Sequence, residues 1–217
     1  MDLKFKIYST VYFIACFISL FFIDVGASLE EMVVKLTSLV FLAFLYISVS
    51  KKINYWYILI LMCSIGSDSF FIFDPDFLRE GLVLVIVERV LYFIILRKTL
   101  SKIEMGSVKK YIIPGVFVFI MSSYLLSPYV ENMLIAFFII CFLNLGLIGV
   151  AFFHLIQKKD RQNIQFFLGV FLIGIADFFL AFNRYLEYSI IMVIIYTVMY
   201  YIARYLICIS IIEEKRY

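Results

Sequence analysis

Along most of the 217-residue chain, apolar side chains run in long blocks separated by short clusters of charge. The hydrocarbon core of a bilayer is about 30 Å thick and takes roughly 20 apolar residues as an α-helix. Eight stretches approach or exceed that length, near 5–23, 33–49, 55–73, 79–96, 111–127, 132–156, 164–182 and 188–212. They do not alternate with the period of two that marks a membrane barrel strand, so helices are predicted throughout. The pattern predicts an all-α polytopic membrane protein: one integral membrane domain over 1–217 with eight transmembrane helices.

Composition agrees, with 65% hydrophobic and 19% aromatic residues, against about 45–50% apolar in soluble domains. Charge orients the helices. Fourteen Lys and Arg fall at the two ends and in the even-numbered connections, but only Lys35, Arg79 and Arg184 in the odd ones. By the positive-inside rule both termini are expected to be cytoplasmic, in the inner cell membrane. The net charge of +3 arises from that asymmetry and gives no hint of nucleic acid. The first block, with its basic start "MDLKFK" and the small residues Val25 to Ala27 after it, also has the outline of a signal peptide; it is expected to be retained as a span. The four cysteines, Cys16, Cys63, Cys141 and Cys208, lie inside predicted helices without CxxC spacing and read as small apolar packers. His154, the only histidine, falls at a helix end beside Lys158 and reads as interfacial. A metal site needs three or four ligands, so neither metal nor cofactor is expected.

Five charged residues remain at membrane depth: Asp68, Glu88, Arg89, Asp177 and Arg204; Lys35 sits at a helix entrance and can snorkel outward. Such groups face the bundle interior or a wet cavity. They could pair and fix only the packing, for instance Asp68 with Arg89 and Asp177 with Arg204. The surrounding pattern adds a second reading. "GSDSFFIFDPDF" (66–77) and "IADFFLAFNRYL" (175–186) both place a small residue before Asp, phenylalanines after it and a polar turn beyond. The aspartates are 177 − 68 = 109 residues apart, half the chain, which suggests two parallel four-helix repeats over 1–110 and 111–217. If the third and seventh helices are neighbours, the carboxylates face each other at one depth, about 7 Å below the outer end. Two carboxylates sharing a desolvated site can hold one proton between them and so act as acid and base.

At these residues the chain resembles the YhhN family of integral membrane lysoplasmalogenases. "IGIADFFLAFNRY" is similar to the family's small-Asp block with its terminal Asn-Arg-aromatic, "SIGSDSFFIF" to its earlier Gly-Asp block, "VVKLTSLVF" to its Lys-led second helix and "YYIARYLI" to its final segment. The resemblance covers nearly the whole chain and implies eight helices. It further implies hydrolysis of the vinyl ether bond of lysoplasmalogens to a fatty aldehyde and a glycerophospho-base, with Asp68 and Asp177 in the places of the essential aspartates and a lipid drawn from the bilayer as partner. A vinyl ether hydrolyses when an acid protonates its β-carbon and water captures the resulting oxocarbenium ion, a division of labour two carboxylates can share.

Two departures stand out: Arg89 occupies the position of a family His and Arg204 that of a family Gln. An arginine beside an aspartate holds it ionised, which opposes use as a general acid; alternatively the guanidinium can grip a substrate phosphate. The expected substrate-binding set is Lys35, Glu88, Arg89, Tyr92, Asn144, Asn183, Tyr200 and Arg204. Asn144 is the repeat counterpart of Lys35, and Tyr196, Tyr200 and Arg204 recur every four residues on one helix face. A lipid-binding relative without catalysis and a small proton-coupled transporter are the alternatives.

Overall fold

The computed structural model describes residues 3–23, 29–72, 77–100, 134–186 and 188–213, with positions 117, 120, 121 and 124. Its helices are α1 (Leu3–Ser19, continued by a 3-10 turn Leu20–Phe22), α2 (Leu29–Val49), α3 (Tyr55–Ile72), α4 (Leu78–Leu100), α5 (Leu134–Gln157), α6 (Arg161–Tyr185) and α7 (Ile190–Ile212). No strand occurs among the described residues.

Six of the seven are long and apolar enough to cross a membrane, fewer than the eight spans predicted. The apolar helices fit a multi-pass integral membrane protein. The exception is α4, whose 23 residues would suffice in length. Arg79 and Glu80 at its start, Glu88 and Arg89 in its middle and Arg97 and Lys98 near its end lower its hydropathy. Most of the predicted 111–127 helix lies outside the described residues. Phe117, Ile120, Met121 and Tyr124 are helical and exposed, at the spacing of one helix face.

Helices form because a chain in hydrocarbon must satisfy every backbone polar group within itself. Three antiparallel hairpins, α1–α2, α3–α4 and α6–α7, make the broadest packing surfaces, α2–α3, α4–α5 and α5–α6 join them, and α2 returns to α7 to close a ring. The Tyr12 hydroxyl donates to the Tyr201 carbonyl at 2.8 Å and the Tyr205 hydroxyl to Ser9 Oγ at 3.0 Å. These contacts run antiparallel, so Leu3 and Ile212 lie at the same end of the bundle. Tyr12, Leu42, Leu45, Tyr57, Ile60 and Ile207 fill the centre, while residues such as Phe17, Phe44, Met62 and Phe142 cover the outside.

Two local features hold the hairpin that carries much of the site. A Cβ at Gly169 of α6 would lie 2.5 Å from Ile207 Cγ1 and 2.9 Å from the Ala203 carbonyl, so only glycine allows α6 and α7 this close. Before α7, Asn183 Oδ1 accepts from the Ser189 amide at 2.6 Å. At the opposite end of the bundle Asp160 caps α6, accepting from the Asn163 amide at 2.9 Å. Cys16, Cys63 and Cys208 are buried free thiols, and Cys141 is half-buried.

Candidate functional site

A cavity of about 340 Å³ lies among α2, α3, α4, α6 and α7. Its lining runs from Glu31, Ile72, Arg184 and Tyr188 near helix ends down to Arg89 and Arg204. The mouth is therefore at the end of the bundle opposite Leu3 and Ile212. Arg204 stands roughly 21 Å along α7 from Ile190 at 1.5 Å per residue, so the cavity reaches well into the bundle.

Two groups of polar side chains form its floor. In the first, the Arg204 guanidinium of α7 donates to both oxygens of Asp68 on α3, at 2.7 and 3.0 Å, while stacking its charge over the Tyr200 ring 5.4 Å away. The Nε of Arg204 is buried and meets no acceptor among the described residues. In the second, Arg89 of α4 uses three nitrogens: Nε donates to Asn144 Oδ1 at 2.7 Å, Nη1 to Glu88 at 2.9 Å and Nη2 to Asp177 Oδ2 at 2.7 Å. Asn144 of α5 also donates to Asp177 Oδ2 at 2.7 Å, and the Tyr200 hydroxyl donates to Asp177 Oδ1. Four helices thus meet at one carboxylate, of which little is exposed.

The pairing is exchanged relative to the alternative read from the sequence: Asp68 takes Arg204 and Asp177 takes Arg89, so each aspartate is held by an arginine from the other half of the chain. Both aspartates line the same cavity, but each is satisfied by its own guanidinium. Nor are they equally far from their helix ends: Asp68 is just over one turn before Ile72, and Asp177 just over two before Tyr185.

Lys35, Glu88, Arg89, Tyr200 and Arg204 line the cavity with them. Asn144 stands behind, bonded to Arg89 and Asp177. Tyr92 is buried in the core edge-to-face with Phe166, and Asn183 is taken up by the α6–α7 connection; neither lines the cavity. The lining also includes residues absent from the sequence-derived set, notably Glu31, Ser67, Arg184 and Thr197. Glu31 pairs with Lys35 one turn on, a spacing visible in the sequence but indistinguishable there from an ordinary acidic first turn. Among the described residues no group of His, Cys, Asp and Glu could hold a metal ion.

A family model for YhhN proteins matches residues 30–211, most of the chain and all of the cavity's lining. The chain belongs to the YhhN family. YhhN proteins are membrane lysoplasmalogenases. Neither a curated protein nor a solved structure matches the chain.

Proposed function

We propose that the protein is a lysoplasmalogenase-like hydrolase, cleaving the vinyl ether bond of a lysoplasmalogen to a fatty aldehyde and a glycerophospho-base. The observation that carries this reading is a carboxylate-lined cavity inside the apolar bundle of a YhhN family chain. A polar pocket among lipid-facing helices suits a substrate whose head is charged and whose chain is not.

In this reading the lipid enters with its ether bond near the floor and its phosphate toward Lys35 and Arg184 at the mouth. The arginine clamps change what the aspartates do. An ionised, hydrogen-bonded carboxylate stabilises positive charge, which is what develops on the ether carbon once the double bond is protonated. Asp177, with a side chain 14% exposed, is fixed by its donors and acts through its charge. Asp68 is 25% exposed and orients the water that captures the cation. In the same reading α4 and the 111–127 helix complete eight crossings, the two halves are repeats, the end bearing Leu3 and Ile212 is cytoplasmic, and the mouth faces outward.

One observation favours a second reading. Two aspartates each saturated by arginine also describe a lipid-binding protein that does not cleave. The deciding experiment incubates purified protein with lysoplasmenylethanolamine and measures free aldehyde, beside Asp68→Asn and Asp177→Asn variants. Aldehyde from the parent and a loss of roughly a hundredfold or more in both folded variants supports hydrolysis. Saturable lipid binding without aldehyde supports the second reading, and equal release from all three removes the aspartates from the chemistry.

A further inference from the structure

With both aspartates clamped, vinyl ether hydrolysis still lacks a proton donor. The floor of the cavity holds three carboxylates, Asp68, Glu88 and Asp177, and two guanidiniums, Arg89 and Arg204. Fully ionised, those five groups by themselves carry a net charge of −1. Lys35 is already paired with Glu31, and Arg184 is exposed at the mouth, where solvent screens it. An unbalanced buried charge is costly, and taking up one proton removes it.

The hydrogen bonds indicate which carboxylate takes that proton. Asp177 accepts from Arg89, Asn144 and Tyr200, and Asp68 accepts twice from Arg204. Among the described residues Glu88 accepts only from Arg89, whose charge it shares with Asp177, and it is the most buried of the three at 3% exposure. Hydrogen bonds to a carboxylate favour its ionised form and burial favours its neutral one, so both considerations select Glu88.

We infer that Glu88, and neither aspartate, holds the site's proton and donates it to the β-carbon of the vinyl ether. The inference rests on the hydrolase reading. In the first step the Glu88 proton passes to the β-carbon, the π pair becomes the new C–H bond, and the O–H pair stays on the Glu88 carboxylate. The cation left on the α-carbon and ether oxygen lies in the field of Asp68 and Asp177. Water, the co-reactant, adds to the α-carbon and its released proton restores Glu88. The hemiacetal then collapses: its hydroxyl loses a proton as C=O forms, the ether C–O bond breaks, and the glycerol oxygen takes a proton. One vinyl ether and one water give one aldehyde and one alcohol.

The charged and titratable groups around Glu88 are Arg89 and Tyr92 on its own helix, Cys63 and Asp68 on α3, Asp177 on α6 and Arg204 on α7, while α5 contributes the uncharged Asn144 to the same network. The test compares the parent with Glu88→Gln, which keeps shape and an acceptor for Arg89, and Glu88→Asp, which keeps an acid. Infrared spectra in H2O and D2O report a protonated carboxylic acid through its C=O stretch, and aldehyde release across pH reports turnover. The inference expects an acid band in the parent that shifts in D2O, disappears in Glu88→Gln and persists in Glu88→Asp. It also expects kcat of Glu88→Gln to fall by roughly a hundredfold to ten-thousandfold with KM unchanged, Glu88→Asp to recover part of the turnover, and parent activity to decline as rising pH removes the proton. No acid band in the parent, or a folded Glu88→Gln that turns over at the parental rate, overturns it. An acid band lost in Glu88→Gln with no aldehyde from the parent overturns the hydrolase reading but leaves the proton on Glu88, so the two failures are distinguishable.

Discussion

The two arginines on the cavity floor are the same side chain in different surroundings. Arg89 is 2% exposed, and its Nε, Nη1 and Nη2 reach Asn144, Glu88 and Asp177. Arg204 is 7% exposed, rests on the Tyr200 ring and, among the described residues, serves one carboxylate and leaves its Nε without an acceptor. The first is a saturated junction that ties α4, α5 and α6 together. The second serves only the more open aspartate among the described residues. Burying an unsatisfied donor costs about 1–3 kcal/mol, so Arg204 holds its surroundings less firmly than Arg89 does. A saturated group builds the site; the other leaves its carboxylate partly open to the cavity.

Arg89→Met should have the largest effect on stability. It removes the guanidinium hydrogen-bonded to both Glu88 and Asp177, and breaking a buried pair costs about 3–5 kcal/mol. Thermal unfolding in detergent should show a large fall in Tm. Arg204→Met removes the partner of one carboxylate that is a quarter exposed and can be hydrated from the cavity, so roughly 2 kcal/mol is expected in the same assay. Equal costs for the two variants would break the contrast between them.

Tyr200 touches both groups, and Tyr200→Phe keeps the ring under Arg204 while removing the donor to Asp177. A hydrogen bond to a charged group contributes about 1.5–3 kcal/mol; the lower end is expected, because Arg89 and Asn144 still hold the carboxylate. A loss that matches Arg204→Met and disappears when combined with it would assign Tyr200 to the wrong group.

The smallest effect belongs to a carboxylate at the other end of the bundle, outside the helices. Slight burial opposes ionisation of Asp160, but the Asn163 amide and nearby Lys158 outweigh it and hold the carboxyl below its ordinary value of 3.8. Its stabilisation is complete above that ordinary value and is lost as pH falls through the lowered one. Asp160→Ala should cost about 1 kcal/mol at neutral pH as a lost cap, with parent and variant converging in acid and aldehyde release unaltered.

How far the sequence revealed this arrangement depended on what each pattern encodes. Long apolar runs specify helices, so α1 to α3 and α5 to α7 were legible nearly to their ends. α4 was legible as a helix, but Glu88 and Arg89 in its middle set its composition apart from the six apolar spans. Charge at membrane depth marked Asp68, Asp177, Glu88, Arg89 and Arg204 as interior groups, because hydrocarbon tolerates them nowhere else. Spacing along a helix does not say which helix stands opposite, and for that reason the exchange of arginine partners was not legible. Equal distance from helix ends suggested level aspartates, but α3 and α6 end at different distances beyond them. Tyr92 shares a helix face with Glu88, yet it lies one turn further from the mouth, below the cavity floor and within the core. Asn183 carried the family pattern, but its carbonyl oxygen is occupied at the start of α7.

Asp68, the more open aspartate, is the group proposed to act on a lipid ether within this cavity. The most direct measurement is aldehyde release from lysoplasmenylethanolamine by the purified protein and by Asp68→Asn, both shown to be folded by their unfolding transitions. Steady release is expected from the parent and at least about a hundredfold less from the variant. Release at the same rate from both proteins would contradict it.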